Sequence, residues 1–79
     1  MWWLFEKLAE NSNEIIYAYS TGNRNLDGRI SINPDTKEIT IIKPCADDEN
    51  SKYAKNTAVL KAYRIIELGY PQHEQIACG

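Results

Sequence analysis

What this chain is short of narrows its chemistry early. No run of apolar residues approaches the roughly 20 that a helix needs to cross a bilayer. The apolar start, Met1-Trp2-Trp3-Leu4-Phe5, has no basic leader and meets Glu6 and Lys7 at once. No secretion signal is therefore expected, and the expected compartment is the cytoplasm. Soft metal ligands are scarce, comprising Cys45, His73 and Cys78. Structural zinc takes four ligands, usually with a closely spaced pair such as Cys-x-x-Cys, and that spacing is missing. No Gly-x-Gly run and no Gly-Lys-Thr sequence is present to cradle a phosphate. There is no internal repeat, low-complexity stretch or linker, so residues 1–79 are expected to form one small domain.

The acidic side chains cluster without making a recognisable catalytic pair. Asp47, Asp48 and Glu49 are consecutive and suit a helix start better than a glycosidase pair or a magnesium site. A cysteine nucleophile would require Cys45 and His73 to meet in space beside an oxyanion site, and nothing in their spacing demands it. A Cys45–Cys78 disulfide would close a long loop, but the expected reducing compartment argues against it. The chain is accordingly expected to be no enzyme, and no cofactor or metal is expected.

What is present is alternation. Ile30 and Ile32 alternate with Arg29, Ser31 and Asn33, Pro34-Asp35-Thr36 turns the chain, and Ile39 and Ile41 resume the period of two through Lys43. That pattern predicts a hairpin over residues 28–43 with the four isoleucines on one face. Glu14 to Ser20 reads as a further strand, with Ile16 and Ala18 on one side and Ile15, Tyr17 and Tyr19 on the other. The consecutive Trp2, Trp3, Leu4 and Phe5 favour a strand up to Glu10, although Ala9-Glu10 would also suit a short helix. Asn11-Ser12-Asn13 is a turn cluster, and Asp27-Gly28 is expected to supply a turn with positive φ. Four strands in a meander result.

Pro44 ends the sheet because it cannot donate to a ladder. Asp47 to Ser51 offers capping side chains and negative charge for a helix running to about Leu68, where Gly69 and Pro71 stop it. At about 100° per residue, Ala54, Ala58, Val59, Ala62, Ile65 and Ile66 share an arc of about 140°. Lys55 falls inside that arc and Tyr53 and Leu60 lie opposite. Residues 72–79 read as a tail. The expected fold is α+β: a four-stranded antiparallel meander followed by one helix on one face.

Asp27-Gly28, Ile42-Lys43-Pro44-Cys45, the helix and the closing Ala77-Cys78-Gly79 together resemble a group of short, uncharacterised bacterial proteins. The resemblance covers most of the chain. It implies a cytoplasmic bacterial protein and a shared fold, and it carries no activity or functional residue.

The chain has a formal net charge of −2, split as about −4 over residues 1–50 and +2 over the remainder. Such an asymmetry could orient two copies, but small imbalances are common on solvated surfaces. Nucleic acid is disfavoured, because the aromatics that could stack bases lie among Glu6, Glu10 and Glu14 with only Lys7 for phosphate. The first two strands carry apolar residues on both sides, more than one helix can cover. The surplus predicts a protein partner, either a second copy in a homodimer or another protein. Its candidate interface is Trp2, Trp3, Phe5, Tyr17, Tyr19, Tyr53 and Leu60. The alternative is a nucleic-acid or small-ligand binding module using the aromatic face.

Overall fold

A computed structural model describes residues 2–21, 24–45 and 54–77. Within them the chain runs β1 (Trp2–Glu10), β2 (Ile15–Thr21), β3 (Gly28–Ile32), β4 (Ile39–Lys43), α1 (Ala54–Glu67) and β5 (His73–Ala77). All neighbouring strands are antiparallel, in the order β4-β3-β2-β1-β5. The expected α+β class and the first four strands are present, and β1 is a strand throughout. A fifth strand corrects the four-stranded expectation. His73-Glu74-Gln75-Ile76-Ala77 has one bulky apolar side chain, so it carries no alternation of its own. It becomes a strand because the free edge of β1 offers it a ladder, with Trp3 opposite Ile76 and Glu6 opposite His73.

Local chemistry explains the turns. Between β1 and β2 the Asn11 side-chain oxygen accepts from the backbone N–H of Asn13 and of Glu14, both at 2.8 Å. Asn33 repeats the device before β4, accepting from Asp35 and Thr36. Lys37 then takes a left-handed φ of 65°. Among the described residues between β2 and β3, Leu26 is left-handed, at φ 50°, and the expected Gly28 is not. Gly28 is instead the first residue of β3, opposite Tyr19, where a Cβ would sit 2.4 Å from the tyrosine ring. Glycine is needed there for close approach.

The helix ends as its sequence predicts. Gly69 has φ 81°, its N–H donates to Ile66 O at 3.1 Å, and Tyr70 N–H donates to Ile65 O at 3.1 Å. These two bonds satisfy carbonyls that would otherwise lack partners, in the Schellman arrangement. The expected cap at residues 47–51 lies outside the described residues, as does Tyr53. The chain then crosses the end of the sheet in three steps. Tyr70 meets Lys37, the Tyr17 hydroxyl donates to Pro71 O at 2.5 Å, and Gln72 exchanges hydrogen bonds with the Lys7 backbone. That crossing delivers β5 to the far edge.

Ala58, Ala62 and Ile65 are fully buried and join the core with Ile30, Ile32, Phe5, Tyr17 and Tyr19, while Ile39, Ile41 and Ile66 pack at its margin. The hairpin register follows, with Ile30 opposite Ile41 and Ile32 opposite Ile39. Small alanines let the helix backbone approach the isoleucines closely. No helix among the described residues is long and apolar enough to cross a membrane.

Candidate functional site

Register decides where the aromatics go. Tyr17 lies opposite Ile30, and Tyr19 lies opposite both Phe5 and Gly28. Opposed residues in an antiparallel pair share a face, so all of them point to the helix side with the isoleucines. Trp3 and Phe5 each stack on Tyr19, with centroids 6.1 and 6.0 Å apart, and Phe5 meets Tyr17 edge-on at 6.4 Å. Such pairs add about 0.5–1.5 kcal/mol each beyond the area they bury. Four members of the candidate interface are therefore corrected. Trp3, Phe5, Tyr17 and Tyr19 are core residues of a single chain, too deeply buried to meet a partner or stack a base. Trp2 and Leu60 remain on the surface, 52% and 66% exposed.

Hydroxyl groups in this core are put to structural use. Tyr19 Oη accepts from Cys45 N at 3.2 Å, tying the end of β4 to β2. Burial pushes the Tyr17 phenol well above its ordinary value, and the nearby Glu10 and Tyr70 add to the shift. Cys45 is buried on this side. His73 pairs with Glu6, which alternates with Phe5 and so projects from the opposite face. The sheet thus stands between the thiol and the imidazole, and the Cys–His pair required for nucleophilic chemistry is not assembled. Cys78 lies outside the described residues. Among the described residues no three His, Cys, Asp or Glu side chains gather to hold a metal ion.

The face turned away from α1 is different in kind. Glu6, flanked by Ala18 and His73, and Leu4, flanked by Ser20 and Gln75, form its centre. From the β2–β3 connection, Arg24 and Leu26 lie beside this area. Together Leu4, Phe5, Glu6, Arg24, Leu26, His73 and Gln75 line a cleft of about 260 Å³. One wall is pinned, because Arg29 Nη1 donates to Leu26 O at 2.6 Å and to Gly28 O at 2.8 Å. Leu4 and Leu26 are half-buried, while the four polar side chains are exposed. Sequence reasoning missed this cleft. Its only signal was Leu4, an apolar residue on the side of β1 opposite Trp3 and Phe5.

Among the described residues the sheet also has two open edges, since β4 is paired with β3 alone and β5 with β1 alone. They differ in composition: β4 reads Ile-Thr-Ile-Ile-Lys and β5 reads His-Glu-Gln-Ile-Ala. An irregularity between Arg29 and Ile30 leaves Ile42 as an extra residue of β4, and its side chain is 56% exposed.

No family model, no curated protein and no solved structure matches this chain. The resemblance to short bacterial proteins therefore gains no support from comparison, and the functional reading rests on geometry alone.

Proposed function

We propose that this protein is a non-enzymatic cytoplasmic module that acts by binding protein, and that its first partner is a second copy of itself. The observation that carries the reading is the open edge of β4. An unpaired strand presents a row of backbone donors and acceptors, and four apolar or β-branched residues in five favour an added strand. Antiparallel pairing of two β4 strands is self-complementary, as a twofold interface requires. It would cover Ile42 and bring the two α1 helices, each packed over its own β4, to either side of the symmetry axis. Leu60 and Tyr63, both exposed on the outer side of α1, would then lie on one broad face of the assembly.

The edge is partly guarded. Lys43 at its end and the bulge at Ile42 are devices that limit open-ended strand addition. They favour a closed pair over a growing sheet.

The test is solution mass. The native chain should sediment at twice its 9.1 kDa mass at micromolar concentration. Ile42→Lys, a change on an exposed side chain, should move it to monomer with the circular dichroism spectrum unchanged. A native protein that remains monomeric at high micromolar concentration overturns the self-association reading.

A further inference from the structure

The cleft on the far face has a property that the β4 edge does not explain. Glu6 and Arg24 line the same cavity, yet their side chains form no ion pair with each other, and neither side chain has a hydrogen-bond or ion-pair partner among the described residues. His73 lies across from Glu6 in the ladder and Gln75 across from Leu4, so the lining sets these polar groups beside the apolar Leu4 and the Leu26 wall. We propose that this cleft binds a small zwitterion, a molecule that carries a carboxylate and a protonated amine on a short apolar body. Free amino acids are the chemical class.

Charge excludes the simpler ligands. A carboxylate alone would gain the guanidinium of Arg24 but would face the carboxylate of Glu6. An amine alone would meet the reverse. Only a ligand with both charges engages both residues, and guanidinium is suited to carboxylate because its planar fork donates two parallel hydrogen bonds. Gln75 adds a neutral donor and acceptor to the rim, and His73 adds ring nitrogens that can hydrogen-bond.

Size points the same way. Pockets for drug-sized molecules run from about 300 to 1,000 Å³. At about 260 Å³ this cleft suits a molecule of amino-acid size and is small for a nucleotide.

Backbone geometry supplies the third argument. Leu26 sits at φ 50°, a conformation that costs a residue with a Cβ, and the costly conformation is held by the Arg29 clamp on its carbonyl. The wall that carries Leu26 is thus fixed before any ligand arrives. A preformed wall reduces the ordering cost of binding.

The test uses the full chain and three probes matched in apolar body: leucine, isopentylamine and 4-methylpentanoate. Each is titrated while backbone amide resonances are followed by NMR. Leucine should shift the resonances of residues 4–6, 24–26 and 73–75 in a saturable manner. The amine and the carboxylate should each bind at least fivefold more weakly. Arg24→Gln and Glu6→Gln should each weaken leucine at least fivefold, with unchanged far-ultraviolet circular dichroism. Equal affinity for all three probes would mean a merely apolar cleft, and tighter binding of the carboxylate alone would mean an anion site; either result overturns the proposal. So would leucine binding that survives both substitutions, or an absence of saturable shifts up to tens of millimolar. Repeating the leucine titration on Ile42→Lys separates this inference from the dimer, since the cleft is built within one chain and should bind equally well there.

Discussion

The two faces of this sheet are written by the same alternating strands, but they follow different rules. Under α1 the rows run Lys7–Tyr17–Ile30–Ile41 and Ile15–Ile32–Ile39, and the four aromatics lie among them with almost no solvent contact. On the far side Leu4 and Ile16 are only half-buried, Trp2 is exposed, and charged residues stand beside small ones. The helix face is dense, whereas on the far face Arg24 and Leu26 lie beside a cleft. Stability is concentrated on the first face, and freedom to bind something remains on the second. Substitutions should divide accordingly.

The largest contrast is expected across the helix. Ile65 is fully buried against the sheet and Leu60 points away from it. Ile65→Ala should lose about 2–4 kcal/mol in chemical denaturation, because both transfer energy and a cavity contribute. Leu60→Ser should stay within about 0.5 kcal/mol. Comparable losses for the two would erase the asymmetry and place α1 on another face.

A smaller effect sharpens the picture at the sheet itself. Gly28 must leave room for the Tyr19 ring, which is stacked between Trp3 and Phe5 and held through its hydroxyl to Cys45. Gly28→Ala should therefore destabilise by about 1–3 kcal/mol through overpacking, despite the usual gain from replacing glycine in a strand. A stabilising result in thermal melts would show that the aromatic stack can shift.

The smallest effect is the most specific. Tyr17→Phe removes a hydrogen bond to Pro71 O and should cost about 1 kcal/mol at neutral pH. It should also change the response to alkali. The Tyr17 phenol is raised above its ordinary value of 10.0 by burial first, so the unfolded chain releases that proton at lower pH than the folded chain. The stability contributed by this group is fully present below pH 10 and is lost as pH rises past it. Denaturation midpoints across that range should decline less steeply in Tyr17→Phe than in the native chain. Equal slopes would mean that the phenol ionises as easily in the folded protein.

Much of the fold could be read before the structure was known, wherever a local rule was sufficient. The 28–43 hairpin, the Asn11 turn, the alanine-lined arc of α1 and the Gly69 stop each depend on neighbours in sequence. Four members of the candidate interface, Trp3, Phe5, Tyr17 and Tyr19, are core instead for a non-local reason. Alternation says which residues of one strand share a face, and it correctly groups Trp3 with Phe5 and Tyr17 with Tyr19. It does not say which of the two faces the helix takes.

That choice was made by pairing register, which sets Tyr17 opposite Ile30. The sequence determined the class, the hairpin and the helix with its end, because hydrophobic period and capping act over a few residues. Tertiary structure alone decided three things: that the aromatics are core, that a polar pentapeptide becomes β5, and that Glu6, Arg24 and His73 share one cleft. Each of these is a contact between segments far apart in the chain, and such contacts are set by the fit of whole elements.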